Sequence, residues 1–192
     1  MDVEYVLSEA ADTITESLEG AMRVTNIVQD LKAFSRVDSQ GNELMELNSC
    51  IESALRVCFH ELKYTATIHK EFGNIPMIIC NPGQLNQVFL NLLVNAGQAL
   101  IPPGEIVLKS WHDDIFVYAS VQDNGHGIPE DILNRIFDPF FTTKDVGKGT
   151  GLGLSISYDI IKKHQGVLQV SSKVGEGTTF TIKLPRTPDT LT

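Results

Sequence analysis

The chain has 192 residues, of which 42% are hydrophobic and 20% are charged, and its formal net charge is −9. These values fit one globular domain with an appendage, and the negative charge argues against a nucleic-acid partner. No apolar stretch approaches the roughly 20 residues of a membrane span, the acidic N-terminus lacks the basic start of a secretory signal, and the three cysteines form neither a paired framework nor a metal-ligand spacing, so we expect a cytoplasmic location.

The first 36 residues predict one long helix, because they contain no proline and repeat apolar residues at steps of three and four. The apolar stripe comprises Leu7, Ala11, Ile14, Leu18, Ala21, Val24, Val28 and Leu31. A lone helix cannot bury such a heptad-like stripe, so we expect this helix to pack against a partner helix. The polar run VDSQGNE, which follows Arg36, predicts a linker over residues 38–43.

From Leu44 onward the sequence alternates between helical and strand patterns. In chain order these predict a helix over 48–62 capped by Asn48 or Ser49, strands in TATIHKEF and IPMIIC, a helix over 82–100 starting at Pro82, a hairpin around Asp113-Asp114, a helix over 152–164, and strands in GVLQVSS and TTFTIKLP. The mixture predicts an α+β fold, a two-layer α/β sandwich, over residues 44–186. We expect the long helix before it and a frayed tail over 187–192.

A row of carboxamides, formed by Gln87, Asn91, Asn95 and Gln98, runs beside the apolar face of the helix over 82–100. Asn91 and Asn95 are one helical turn apart, so their side chains point in the same direction. Asparagine is a poor residue for helix interiors, and amide oxygens are hard, neutral ligands that suit Mg²⁺ together with waters and substrate phosphates. The pattern indicates either a magnesium site or an ordinary solvated polar face.

Asp123 and two glycines mark the end of a predicted strand, in the run VQDNGHGIP. A carboxylate at a strand end can accept a hydrogen bond from an exocyclic amine, and Gly125 and Gly127 would let a flat ring lie against the backbone. The alternative is a plain Asp-Asn-Gly turn.

Three phenylalanines, Phe137, Phe140 and Phe141, cluster in the run IFDPFFTTKD. Pro139 argues against one continuous helix through this run. The segment therefore predicts either a mobile lid with an apolar surface or a loop that is tucked onto the core.

Glycine occupies every second position from 147 to 153 in the run VGKGTGLGLS, directly before a helical pattern. The run fits neither the Walker A pattern nor G-x-G-x-x-G. The free N–H groups and the dipole at a helix start nevertheless favour an anion. We therefore predict that this bare backbone binds a polyphosphate tail, with Lys144 and Lys148 nearby as cations.

Taken in order, four motifs resemble the N, G1, F and G2 boxes of sensor histidine kinases. They are the Asn91/Asn95 pair, DNGHG at 123–127, FDPFF at 137–141 and GTGLGL at 149–154. The resemblance extends from residue 1 to about 185, and FFTTK is most similar to the nitrogen-regulation branch. It implies the Bergerat ATP-binding fold, shared with gyrase, the Hsp90 chaperones and MutL, and it implies ATP and Mg²⁺ as cofactors.

The resemblance also implies a role for each motif. Asp123 would hydrogen-bond adenine, the two asparagines would serve the Mg²⁺–triphosphate with Asn95 preferred as direct ligand, the G2 glycines would hold the phosphates, and residues 137–150 would form the ATP lid. The implied nucleotide-binding residues are Asn91, Asn95, Gln98, Asp123, Gly125, Gly127, Ile128, Phe137, Thr143, Lys144, Lys148, Gly149, Thr150, Gly151, Leu152, Gly153 and Leu154, with Asn95 and Asn91 as the metal and catalytic residues.

The implied reaction is transfer of the γ-phosphate of ATP to a histidine, and from there to an aspartate in the receiver domain of a response regulator. In gyrase-like ATPases a glutamate four residues before the metal asparagine activates water, whereas this sequence has Asn91, which cannot act as a general base near neutral pH. The alternatives are a gyrase-type ATPase, an anti-sigma-type serine kinase, and a degenerate module that only dimerises.

The phosphoacceptor histidine is not expected in this chain. His60 stands in FHELK, which resembles the family's acceptor box, but it follows LKAFSR, a run that resembles the end of the second helix of the dimerisation hairpin. Residues 1–37 are therefore expected to be that second helix, with the acceptor helix supplied from outside this sequence, and the resemblance implies a homodimer through this N-terminal helix. His164 closes a predicted helix, where a partial positive charge would suit the helix dipole.

Overall fold

The computed structural model describes residues 41–144 and 149–186, and also the isolated positions 9, 13, 14, 17, 20, 21 and 25, which are helical. The helix predicted over residues 1–36 lies largely outside the described residues, and the tail from 187 lies wholly outside them. The division of the chain into a helix, a linker and a domain therefore stays a prediction. Within the described ranges, no helix is long and apolar enough to cross a membrane.

The described residues from 41 onward form three α-helices and seven strands. In chain order they are β1 (Glu43–Met45), α1 (Leu47–Leu62), β2 (Ala66–Phe72), β3 (Ile78–Cys80), α2 (Pro82–Ala99), β4 (Gly104–His112), β5 (Phe116–Asp123), α3 (Gly153–Lys163), β6 (Val167–Lys173) and β7 (Gly177–Pro185). Five strands form one sheet in the order β2-β4-β5-β7-β6, in which only the β2–β4 pair is parallel. Strands β1 and β3 form a separate antiparallel ribbon.

The core lies between the sheet and the helix layer. Along β4, every second residue from Gly104 to Ser110 is buried, as expected for a strand with one face against the core. Helix α2 packs against both α1 and α3, and it buries Phe89, Leu92 and Leu93 completely. This arrangement confirms the predicted α+β two-layer sandwich.

Helix α2 begins where the sequence predicts, because its first residues satisfy the free N–H groups of the first turn. The Asn81 side chain accepts a hydrogen bond from the Gln84 backbone N–H at 3.1 Å, and Pro82 follows in the first turn, where a missing N–H is harmless. The cap fixes the residue at which the helix begins, and the buried apolar face fixes its rotation and therefore the directions of Asn91 and Asn95.

The start of the domain differs from the sequence prediction. Helix α1 begins at Leu47, and neither Asn48 nor Ser49 is its cap, because the extended residue Glu46 precedes it. Leu47 is fully buried, which brings it into the helix, and the Asn48 side chain instead donates to the Gly73 carbonyl at 3.2 Å. Strand β1 was not predicted, since three residues are too few to show an alternating pattern.

Gly175, in the turn between β6 and β7, and Gly177, the first residue of β7, allow a matched test of close packing. A Cβ at Gly177 would lie 2.0 Å from the Asp123 carbonyl oxygen, and its φ is +106°; a Cβ at Gly175, with φ of +79°, would meet nothing within 4 Å. We expect Gly177→Ala to lower the free energy of unfolding by about 2–4 kcal/mol, and Gly175→Ala by roughly 1 kcal/mol from backbone strain alone. If urea denaturation gave the same decrease in the free energy of unfolding for both variants, the close contact at Gly177 would not contribute to stability.

Candidate functional site

A cavity of about 1150 Å³ opens between α2, the loop after β5 and the segment that leads into α3. It is lined by most of the residues that the sequence predicts to bind nucleotide: Asn91, Asn95, Gln98, Asp123, Ile128, Thr143, Lys144, Gly149, Thr150, Gly151, Gly153 and Leu154. Four other predicted residues do not line it: Gly125, Gly127, Phe137 and Leu152. Lys148 lies outside the described residues.

Asp123 is a buried carboxylate, with only 5% of its surface exposed, at the end of β5. Its Oδ1 accepts hydrogen bonds from the backbone N–H groups of Gly125, at 2.9 Å, and Thr178, at 3.3 Å. Burial raises the pKa of this carboxyl group, although the two backbone hydrogen bonds act in the opposite direction. No hydrogen bond within the described part of the chain reaches Oδ2, so this oxygen remains available to a donor in the cavity.

Gly125 and Gly127 are explained by packing rather than by a ring that lies on them. A Cβ at Gly125 would lie 2.3 Å from the Ala99 carbonyl oxygen, and one at Gly127 would lie 2.2 Å from the Lys173 carbonyl oxygen. Gly127 also has φ of +71°, a conformation that favours glycine. These glycines therefore shape the loop that follows Asp123, and contact between them and a nucleotide stays a prediction.

Asn91 joins α2 to the beginning of α3. Its Nδ2 donates to the Gly153 carbonyl oxygen at 3.0 Å and to the Ser157 hydroxyl at 3.2 Å, and the Ser157 hydroxyl donates to the same carbonyl at 2.7 Å. Because both amide hydrogens are used within the protein, Oδ1 is the atom of this side chain that is left for a ligand.

Asn95 lies one turn further along α2 and carries a cation on its amide oxygen. Lys144 Nζ donates to Asn95 Oδ1 at 3.2 Å and also to Gln98 Oε1. Partial desolvation beside α2 lowers the pKa of this otherwise exposed lysine. The contact shows that the oxygens on this face of α2 can accept a positive charge, which is the chemistry that Mg²⁺ requires of neutral oxygen ligands. No group of three or more His, Cys, Asp or Glu side chains in the described ranges could hold a metal by itself.

The glycine-rich run brings bare backbone against the lid segment and then begins α3. A Cβ at Gly151, which has φ of +67°, would lie 2.4 Å from the Phe140 carbonyl carbon, and the Phe140 N–H donates to the Gly151 carbonyl oxygen at 3.0 Å. No side chain caps the start of α3 at Leu152, so the N–H groups of its first turn are left for an anion in the cavity.

Phe137 lies beside α3 and not in the cavity. Its ring packs against the ring of Tyr158 with centroids 5.2 Å apart and does not line the cavity, so contact between Phe137 and a nucleotide stays a prediction. Phe141 does line the cavity, and the Arg135 guanidinium lies 4.7 Å from its ring centre. The predicted lid over residues 137–150 includes residues 145–148, which lie outside the described part of the chain.

Among the residues that sequence reasoning missed, two hydrogen-bond directly to predicted site residues. Thr178 lines the cavity and donates to Asp123 because β5 and β7 pair these two residues directly, and no local pattern shows that pairing. Ser157 is completely buried, and its only signal was a hydroxyl on the apolar face of a predicted helix.

The profile of the family described as histidine kinase-, DNA gyrase B-, and HSP90-like ATPase matches residues 80–188. The chain belongs to this family of ATP-binding domains. It is 37% identical over 184 residues to the sensor kinase CckA of Brucella abortus (strain 2308), a match that covers 88% of this chain and 20% of CckA. It is 36% identical over 172 residues to the sensor histidine kinase ZraS of Escherichia coli (strain K12), covering 86% of this chain and 36% of ZraS.

Among solved structures, the catalytic domain of histidine kinase ThkA is 31% identical and has a TM-score of 0.70, and the match covers 78% of this chain and 99% of that chain. The similarity to sensor histidine kinase catalytic domains predicted from the four motifs is confirmed. Its assignment to the nitrogen-regulation branch stays a prediction. The chain spans 20% and 36% of the length of the two curated relatives described above.

Proposed function

We propose that this chain binds Mg·ATP in the cavity and presents the γ-phosphate to the imidazole of a histidine on another helix. The observation that carries the proposal is that a single cavity joins a buried carboxylate, two amide oxygens one helical turn apart, and the uncapped start of a helix. These groups match, in order, an exocyclic amine, a magnesium ion and a chain of phosphates.

In this proposal Asp123 Oδ2 accepts a hydrogen bond from the exocyclic amine of adenine, and Oδ1 keeps its two backbone partners. Oδ1 of Asn91 and Oδ1 of Asn95 would hold Mg²⁺, which, when bound, neutralises charge on the phosphates. The N–H groups at the start of α3 would bind the phosphate oxygens, and Lys144 would move from Asn95 to them. Together they position the γ-phosphate for in-line attack.

Transfer to histidine is favoured over hydrolysis by the chemistry at position 91. An amide is not a general base near neutral pH, and the Asn91 amide hydrogens are donated to Gly153 and Ser157. The position can therefore orient groups but cannot take a proton from water. We propose that the γ-phosphoryl group passes from the bridging oxygen of ATP to an imidazole nitrogen, which leaves ADP.

The acceptor histidine is proposed to lie outside this sequence, on the first helix of a dimerisation hairpin. His60 is exposed on α1 and does not line the cavity, which supports the prediction that it is not the acceptor. The remaining assignments are also proposals: residues 1–37 as the second helix of the hairpin and the dimer contact, residues 38–43 as the linker, and a response-regulator receiver domain as the next phosphate acceptor.

The proposal is tested with γ-labelled ATP and Mg²⁺, first with this chain alone and then with a polypeptide that carries the complete hairpin and its histidine. We expect magnesium-dependent ATP binding in both mixtures, little acid-labile label on this chain, and acid-labile label on the hairpin. Steady release of inorganic phosphate without acceptor would instead indicate an ATPase, and strong label on His60 would show that the acceptor assignment is wrong. Absence of ATP binding would leave only a dimerising module.

A further inference from the structure

We infer that His164 is a positioning residue for the phosphate end of the site, because its ring fastens the C-terminal end of α3 to the N-terminal end of α2. The inference rests on the proposed function and names a residue that lies outside the lining of the cavity. The two helices that it joins are the ones that carry the proposed magnesium ligands and the uncapped phosphate-binding start.

The two ring nitrogens of His164 have different hydrogen-bonding partners. Nε2 lies 3.0 Å from the Asn81 backbone nitrogen and must accept its hydrogen, whereas Nδ1 lies 2.8 Å from the Ile160 carbonyl oxygen and must donate to it. A ring with its hydrogen on Nδ1 and a lone pair on Nε2 satisfies both contacts. The ring therefore contacts the start of a second helix, in addition to the helix end that the sequence-based interpretation considered.

Asn81 makes this contact significant, because it is the N-cap of α2 and is 4% exposed. Its backbone N–H donates to the His164 ring, so loss of the Nε2 acceptor would remove a hydrogen bond at the residue that starts the helix. A change at His164 therefore acts on the position of α2, in addition to any effect on the end of α3.

A second hydrogen-bonded contact joins the middle of α2 to the start of α3. Asn91, ten residues after Asn81, donates to Gly153 and Ser157 at the start of α3. Ten residues of helix span about 15 Å, so the two fastenings are well separated along α2. Together with the packing between α2 and α3, two separated hydrogen-bonded contacts restrain the angle between these helices more than the contact at Asn91 alone.

This arrangement predicts which part of a nucleotide depends on His164. The phosphates need α2 and the start of α3 to face each other at a fixed distance, because each supplies part of their binding site. The adenine end depends on Asp123 and Thr178, which lie on β5 and β7. Loss of the His164 fastening should therefore weaken binding of the triphosphate and leave binding of adenosine unchanged.

The test compares two substitutions that keep different halves of the ring. His164→Asn places an amide N–H near the position of Nδ1 but offers no acceptor to Asn81, whereas His164→Gln places an amide oxygen near the position of Nε2. We expect the Asn variant to bind Mg·ATP about 3- to 10-fold more weakly than wild type, the factor for one ordinary hydrogen bond, and the Gln variant to restore most of the affinity. The dissociation constant of Mg·ATP is measured by calorimetry, and that of adenosine by ¹H–¹⁵N NMR titration of the protein.

The adenosine measurement distinguishes a positioning role of His164 from simple destabilisation, because partial unfolding would lower the affinities for ATP and for adenosine by the same factor. Equal weakening of both ligands, or no rescue by Gln, would overturn the inference, as would unchanged ATP binding by the Asn variant. If the Asn variant does not fold, the long-range ¹H–¹⁵N spectrum of the wild-type imidazole decides, because a hydrogen on Nε2 excludes the contact and a lone hydrogen on Nδ1 supports it. Failure of wild type to bind ATP would overturn the proposed function and this inference together.

Discussion

Replacing Asp123 with Asn is expected to lower the affinity for ATP by about 10- to 100-fold, the factor for a hydrogen bond to a charged group. The substitution keeps an oxygen that can accept from Gly125 and Thr178, so the loop should hold its shape. It replaces Oδ2 with an amide nitrogen, whose hydrogens would then oppose the exocyclic amine of adenine. Calorimetric titration with ATP in the presence of Mg²⁺ measures the loss.

The same substitution is expected not to lower stability at neutral pH. Burial raises the pKa of Asp123 in the folded state. The contribution of this group to the free energy of unfolding is therefore fully present below the pKa of the unfolded chain, and it is lost as pH rises through the folded-state pKa. At neutral pH the ionised carboxylate therefore opposes folding, and Asn removes that charge. The melting temperature of the variant should equal or exceed that of wild type at pH 7, with the difference closing toward acidic pH.

Asp113→Asn is a control with the same chemical change. Asp113 is an exposed carboxylate in the hairpin between β4 and β5, does not line the cavity, and accepts from the backbone of Ile115 and Phe116 and from the Tyr118 hydroxyl. These hydrogen bonds lower its pKa, so its contribution to stability has the opposite pH dependence and is lost as pH falls. We expect unchanged ATP affinity. Equal losses of affinity in the two variants would remove Asp123 from the adenine site.

The sequence was sufficient for those parts of the fold that depend on local order. Helix α2 has an asparagine cap, a proline in its first turn and a continuous apolar face, so its start and its rotation could be predicted. Alternation identified β4, β5 and β7 because each has one face on the core. The polar residues of the site could be found for the same reason, since Asn91, Asn95 and Asp123 occupy fixed positions on these elements.

The rest depends on which distant segments meet. Strand β1 exists because residues 43–45 pair with β3, and nothing within three residues reveals that pairing. Gly125 and Gly127 could be interpreted as a surface for a ring until the backbone of Ala99 and Lys173 proved to lie against them. His164 likewise could be assigned to its own helix dipole, because its partner Asn81 is 83 residues away in the chain.

Within the site, we expect the largest loss of stability from Asn91→Asp, which replaces the amide nitrogen of this side chain with an oxygen. In Asn91→Asp, an acceptor replaces the nitrogen that donates to the Gly153 carbonyl and to Ser157. Two acceptors would then face each other in a partly buried site, and Ser157 could donate to the new carboxylate only by leaving Gly153. We expect the free energy of unfolding to fall by about 1–3 kcal/mol in urea denaturation, because a buried acceptor is left without a donor.

Asn95→Asp, one turn further along α2, adds the same charge without breaking a comparable contact. Its Oδ1 accepts from Lys144, and a carboxylate there would face the ammonium group of that lysine. We therefore expect its stability to lie within about 0.5 kcal/mol of wild type. Both variants place one more negative charge near the phosphates, so any additional loss of ATP affinity in Asn91→Asp reports the join between α2 and α3. If the two variants were equally stable and bound ATP equally, the amide hydrogens of Asn91 would have no role in holding α3 in place.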